Sequence, residues 1–185
     1  MVGEASGATW RRRAILRCGA LVAALVVWQA GSGSAQVPKS QLGMVLQRIA
    51  RTDVTITYSR PVARGRRLFG GIVPYREPWN PGADAATTIR FSGPVELAGD
   101  QVPGGTYSVW IIPDTTAWTL ILSAAANVPH TPYPKGQDVL RLRLSPVRGE
   151  QMETLGFYFP MVDGDSATLR MHWGETILPI SVRAP

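Results

Sequence analysis

Arginines and aromatic residues concentrate in one segment, residues 58–88, and these side chains are well suited to ligand binding. A guanidinium binds carboxylate or phosphate oxygens through paired N–H donors, and an aromatic ring stacks on a ligand ring. We therefore predict a site for a small anionic or carbohydrate ligand in this segment. The predicted site residues are Arg60, Arg66, Tyr75, Arg76, Trp79 and Asp84.

The same segment also fits a structural role. It contains four prolines and four glycines, which interrupt both helical and strand periodicity. In this alternative it folds as a plug across the open end of the domain and buries its loop aromatic residues. Arg60 or Arg66 would then donate to backbone carbonyls and to Asp84, whereas Arg64 and Arg67 would be exposed. The sequence leaves both roles open.

A pair of carboxylates gives an alternative function. Glu77 and Asp84 flank Trp79, a residue on which a sugar ring could stack. Two carboxyl groups about 5–10 Å apart in a cleft can hydrolyse a glycosidic bond. The alternative to the binding module is therefore a small hydrolase acting on cell-envelope carbohydrate. The competing interpretation is that both carboxylates pair with the neighbouring arginines.

The chain has two histidines, His130 and His172. His172 alternates with Arg170 and Thr168 on the polar face of a predicted strand, so we expect it to be solvated. His130 lies in an irregular stretch and is interpreted as loop decoration. Their spacing does not suit a metal site, and no cofactor is expected. A non-catalytic binding or interaction module is therefore the leading prediction.

The N-terminus has the features of an export signal. Arginines at 11–13 and 17 precede the apolar run Cys18–Trp28, and Gly33-Ser34-Ala35 supplies small residues for cleavage before Gln36. We predict a signal peptide at 1–35 and export to the periplasm or outside the cell. The Arg12-Arg13 pair is also compatible with a twin-arginine signal. The apolar run is shorter than the roughly 20 residues of a stable membrane span.

The charge and the cysteine content limit the kinds of partner and chemistry expected for the remaining chain, residues 36–185. Removing residues 1–35 takes away four arginines and one glutamate, so the formal net charge falls from +6 to +3. This modest charge on an exported domain does not favour nucleic acid as a partner. The one cysteine, Cys18, lies within the predicted signal, so the mature chain would have no disulfide and no thiol nucleophile.

Alternating apolar and polar residues dominate residues 36–185. They predict an all-β fold: a single-domain antiparallel β-sandwich, jelly-roll-like or barrel-like, with nine or ten strands and one long Arg/Pro/Gly-rich loop. The predicted strands are 43–50, 53–59, 87–92, 95–98, 106–112, 118–123, 139–144, 153–162, 166–173 and 177–182. Arg141, Arg143 and Arg170 are expected on the outer face of one sheet. The predicted core residues are Val54, Ile56, Ile89, Phe91, Val109, Leu120, Leu140, Leu142, Phe157, Phe159, Leu169 and Trp173.

Short strings in the 58–88 segment and in later strands form a specific pattern. They are Tyr58-Ser59-Arg60-Pro61, Gly65-Arg66, Phe69-Gly70, Val73-Pro74-Tyr75, Trp79, Gly82-Ala83, Ala86-Thr87, Gly105-Thr106-Tyr107-Ser108, Trp118-Thr119, Ala167-Thr168-Leu169 and Trp173. Together they resemble a secreted bacterial family, domain of unknown function 2911. The family pattern has Arg after the Trp and Asn after Gly-Ala, where this chain has Asn80 and Asp84. The resemblance implies secretion and one domain and supplies no mechanism.

Overall fold

Two antiparallel β-sheets form the protein over residues 39–185, the part that the computed structural model describes. The strands are β1 (Gln41–Ile49), β2 (Thr52–Arg60), β3 (Thr88–Phe91), β4 (Val95–Leu97), β5 (Asp100–Val102), β6 (Gly105–Ile112), β7 (Trp118–Ser123), β8 (Asp138–Leu144), β9 (Val147–Asp163) and β10 (Ser166–Arg183). One sheet has the order β1-β2-β3-β6-β7-β8 and the other β5-β4-β10-β9. The prediction of an all-β sandwich is confirmed. The predicted signal peptide, residues 1–35, lies outside the described residues.

The hydrophobic core lies between the two sheets. Ten of the twelve predicted core residues are buried, and the remaining two, Leu140 and Phe159, are half-buried and packed against the others. In β2, the buried residues alternate with half-buried polar residues, as the two-residue period of a strand requires. Tyr58 belongs to this buried row, and its ring meets Phe157 of the opposite sheet edge-on at 4.8 Å.

Strands β6 and β7 are buried on both faces. Trp110 and Ile121 point away from the main core row, yet they are only 1% and 0% exposed. The irregular stretch between β7 and β8 covers this face, where the Tyr133 ring packs against Trp110 with centroids 5.2 Å apart. Burial and the hydrogen bond to Asp138 raise the pKa of Tyr133 to about 12. A long irregular segment therefore completes the packing on this side.

The C-terminal region departs from the predicted strands. The predicted strands 166–173 and 177–182 are parts of one strand, β10, whose pairing with β9 shifts register on both sides of Gly174. Gly174 has a φ of 59°, and a Cβ there would lie 2.8 Å from the Leu68 side chain. Only glycine tolerates this combination easily, and the strand continues through the irregularity.

The prediction that Arg141, Arg143 and Arg170 share one sheet face was wrong. The first two belong to β8 of the six-stranded sheet, and Arg170 belongs to β10 of the four-stranded sheet. The chain changes sheets between β8 and β9, which are separated by only Ser145 and Pro146. Alternation within a strand does not reveal such a change, because the period is the same in both sheets.

The 58–88 segment is hydrogen-bonded to both sheets. Near its start, the Ala63 N–H donates to the Glu153 carbonyl at 2.8 Å and the Leu155 N–H donates to the Pro61 carbonyl at 3.0 Å, both on β9. Further on, Trp79 exchanges two backbone hydrogen bonds of 2.8 Å with Ile111 of β6. The segment therefore connects the two sheets through backbone hydrogen bonds.

Candidate functional site

Asn80 fixes the middle of the 58–88 segment. Its side chain is 1% exposed, its Nδ2 donates to the Val109 carbonyl at 2.7 Å, and its Oδ1 accepts from the Thr87 N–H at 2.9 Å. Buried amides need such partners. The sequence analysis noted Asn80 only as a departure from the family pattern and missed this role. Its place directly after Trp79, which pairs with β6, was the available signal.

An aromatic cluster lies beneath the segment and consists of Phe69, Trp79, Trp118 and Trp173. Phe69 contacts the other three rings at centroid distances of 4.5–6.3 Å, and Trp79 stacks on Trp173 at 5.9 Å and 15°. The Trp118 and Trp173 indole N–H groups donate to the Asp114 and Glu153 carbonyls. The cluster is thus largely structural, because one face of Trp79 is occupied by Trp173.

Arg60 and Arg66 both donate to backbone carbonyls, as the structural alternative predicted. The Arg60 Nε donates to the Leu155 carbonyl at 3.1 Å. The Arg66 Nε and Nη2 donate to Ala63 and Val62 carbonyls at 2.8 and 2.7 Å. The structural alternative also predicts that Arg60 and Arg66 are buried, and this was wrong for Arg66, whose side chain is exposed.

Arg66 and Tyr75 come together in a cleft of about 370 Å³, here called the Arg66 cleft. Phe69 and Trp173 supply its aromatic wall, and Glu175 supplies a carboxylate. The two arginines predicted to be exposed, Arg64 and Arg67, are exposed and are not among the residues that line this cleft.

A second cleft of about 300 Å³, the Asp114 cleft, shares Phe69, Tyr75 and Glu175 with the first. Arg76 does not line either cleft, and its Nε lies 3.5 Å from Asp114 Oδ2. The Thr115 N–H lowers the pKa of the Asp114 carboxyl, and the charge of Arg76 lowers this pKa further. Asp114 therefore presents an anion to the cleft at neutral pH.

Asp84 contacts a different part of the chain, the irregular stretch around His130. Its carbonyl accepts from the His130 N–H at 3.2 Å and lies 2.6 Å from His130 Nδ1, which must carry a proton to face a carbonyl. Among residues 39–185 no ion pair joins Asp84 to an arginine, so the expected Arg60 or Arg66 contact was wrong. Glu77 and Asp84 are exposed, and neither lines the two clefts.

The prediction that His172 is solvated was wrong. The residue is 7% exposed, its Nε2 lies 2.9 Å from the Glu150 carbonyl, and its Nδ1 lies 3.2 Å from the Tyr158 hydroxyl. The reason is that β9 begins at Val147, six residues earlier than predicted, and this extension covers His172. Gly149 of this extension makes room for Ile177, since a Cβ there would lie 2.4 Å from the Ile177 side chain.

The protein is a small β-sandwich in which the loop between β2 and β3 is hydrogen-bonded to both sheets. Its clefts combine cations, carboxylates and aromatic rings. The chain belongs to the family described as Protein of unknown function (DUF2911), whose model matches residues 40–182. Searches of curated proteins and of solved structures returned no match to this chain. Residues 39–185 contain neither a helix able to cross a membrane nor a group of three metal-binding side chains.

Proposed function

We propose that this protein is a non-catalytic binding module whose ligand site is the Arg66 cleft together with the adjoining Asp114 cleft. The observation that supports this proposal is the state of Arg66, which is exposed to solvent yet held by two backbone carbonyls. An immobilised cation loses little side-chain entropy when it binds an anion. Its Nη1 has no protein acceptor among residues 39–185 and is available to a ligand.

The neighbouring side chains favour an acidic carbohydrate. Tyr75 and Phe69 are half-buried and offer apolar ring surface against which a sugar can pack. Glu175 and Asp114 offer carboxylate oxygens that accept hydrogen bonds from sugar hydroxyls. A sugar with a carboxylate, sulfate or phosphate group would place that group at Arg66 and its hydroxyls along the two acidic residues.

A thermal-shift screen of acidic and neutral oligosaccharides tests this proposal. A ligand that binds the folded state raises the melting temperature, so we expect a rise with glucuronate-containing oligosaccharides and a smaller one with neutral glucose oligomers. Arg66→Ala should abolish the rise, and Arg64→Ala, in an exposed neighbour outside the cleft, should preserve it. Equal responses in both variants, or no response to acidic sugars, would refute the site.

The hydrolase alternative makes a different prediction in the same assay. Glu77→Gln combined with Asp84→Asn should leave ligand binding unchanged, because neither carboxylate lines the proposed clefts. Release of reducing sugar by the wild type and its loss in this double variant would instead support the hydrolase. No observation in the described structure favours that reaction.

We also propose that the protein is exported and that the mature chain begins near Gln36. The basic residues, short apolar run and small residues of the N-terminus support this proposal. The intact mass of protein recovered from the periplasm or medium of its native host should correspond to residues 36–185. A soluble cytoplasmic product that retains residues 1–35 would contradict it.

A further inference from the structure

A third cleft, of about 610 Å³, lies against strands β9 and β10 and is here called the His172 cleft. Its polar lining consists of Arg148, Glu150, Tyr158, Arg170 and His172, so the cations outnumber the one carboxylate. Leu169 and Met171, which alternate with Arg170 and His172, are buried in the core between the sheets. The cleft therefore opens on the outer face of the four-stranded sheet.

The Nε atom of Arg170 is the strongest indication that this cleft binds a ligand. This atom is buried and has no hydrogen-bond partner among the described residues. Native structures rarely leave a buried charged donor unsatisfied, and such a group commonly marks the place of a bound ion or ligand. Because Nε itself is inaccessible, a carboxylate or phosphate would bind the Nη–H groups of the same guanidinium, which are not among the buried atoms, and its charge would also act on the adjacent Nε–H.

Three other polar residues of the cleft have hydrogen-bond or ion-pair partners. His172 Nε2 faces the Glu150 carbonyl at 2.9 Å and must donate to it, and Nδ1 lies 3.2 Å from the Tyr158 hydroxyl. Arg148 is held by an ion pair with Glu175 at 2.8 Å. Arg148 uses only Nη2 in this ion pair, whereas Arg170 has no hydrogen bond or ion pair among residues 39–185 and is therefore the less engaged of the two cations.

The walls of the cleft indicate what an anion would be attached to. Val147 is 47% exposed and lines the cleft beside Ile177. Small-molecule sites typically combine such apolar surface with a few polar anchors and have volumes of about 300–1,000 Å³. We propose that the His172 cleft is a second binding site, which takes an organic carboxylate: the carboxylate binds Arg170 and its apolar body contacts Val147.

Isotope-edited NMR of the full mature chain tests this directly. On addition of benzoate, we expect the Arg170 Nε–H resonance, assigned by its loss in Arg170→Lys, to shift in a saturable manner. Benzamide, which is uncharged, should produce no such shift. Inorganic phosphate should bind more weakly than benzoate because it lacks an apolar body. Phosphate binding as tight as benzoate binding would overturn the carboxylate assignment, and an unresponsive Arg170 resonance would overturn the site.

Single substitutions test whether Arg170, rather than a neighbouring residue, binds the carboxylate. Arg170→Met should weaken benzoate binding roughly tenfold or more, which is the loss expected for a charged hydrogen bond. Tyr158→Phe should change it less than about threefold, because the hydroxyl already has a hydrogen-bond partner in His172. Arg143→Met, in an exposed arginine of β8, and Arg66→Ala should have no effect. A loss in Tyr158→Phe as large as in Arg170→Met would refute the assignment of Arg170 as the anchor. The His172 cleft shares Val147 and Arg148 with the Asp114 cleft, and the Arg66→Ala control shows that benzoate is not bound at Arg66.

Discussion

At the residue scale, side chains that bond to the backbone decide the conformation of the 58–88 segment. The side chains of Asn80, Arg60 and Arg66 donate to backbone carbonyls, and Asn80 also accepts from one backbone N–H. In a regular sheet a neighbouring strand would supply these hydrogen bonds. Asn80 is the deepest of the three, at 1% exposure. This explains how a segment rich in proline and glycine can have a defined structure without cysteine among residues 39–185.

Replacing Asn80 should therefore destabilise the whole protein. Asn80→Ala leaves the Val109 carbonyl and the Thr87 N–H without partners in a buried position, and we expect a loss of about 1–3 kcal/mol in the free energy of unfolding. Urea denaturation should show a lower midpoint with an unchanged slope. The control is Asn127→Ala, an exposed loop asparagine, which should change the free energy by less than about 0.5 kcal/mol. Equal losses in both variants would contradict the proposed role of Asn80.

At the element scale, the sequence predicted strands best where one face is polar. β2 and β8 alternate cleanly and were predicted within two residues of their ends. β5 was not predicted as a strand, because its three residues Asp100–Val102 are too few to show a period. The burial of Ile121 in β7 was not predicted, since the residues of a strand covered on both faces do not alternate between apolar and polar.

The candidate site was predicted in part for the same reasons. Arg66 and Tyr75 meet in one cleft, as composition suggested, because they belong to one compact loop. Trp79 and Asp84 do not join them as ligand groups, since Trp79 pairs with β6 and Asp84 with the stretch around His130. Arg170 and His172 became candidates only when the true start of β9 was known. Contacts between distant strands are not encoded in local periodicity.

At the scale of the whole molecule, the two sheets are held together by apolar packing across their interface. Phe157 of β9 is 5% exposed, and its ring meets Tyr58 of the opposite sheet edge-on. Its N–H also donates to the Tyr58 hydroxyl at 3.1 Å. Phe159, two residues further along β9, is only half-buried. Phe157 is thus more completely enclosed between the sheets than Phe159.

These two phenylalanines should differ in their contributions to stability. We expect Phe157→Ala to cost about 3–5 kcal/mol in the free energy of unfolding, because it leaves a cavity between the sheets. Phe159→Ala should cost distinctly less, since part of that side chain is already in contact with water. Chemical denaturation of both variants measures the difference. A larger loss at Phe159, or a loss below about 1 kcal/mol at Phe157, would contradict the described core.

The contact between Tyr58 and Phe157 joins positions 99 residues apart in the chain. A polypeptide synthesised from its N-terminus at about 5–20 residues per second needs roughly 5–20 s to extend from the first of these positions to the second. During that interval the two long strands of the opposite sheet, β9 and β10, are not complete, so β1 and β2 cannot bury all of their apolar residues. Folding of the sandwich is therefore delayed until most of the chain has left the ribosome, so nascent chains remain open to chaperones and to any translocation machinery that accepts unfolded protein.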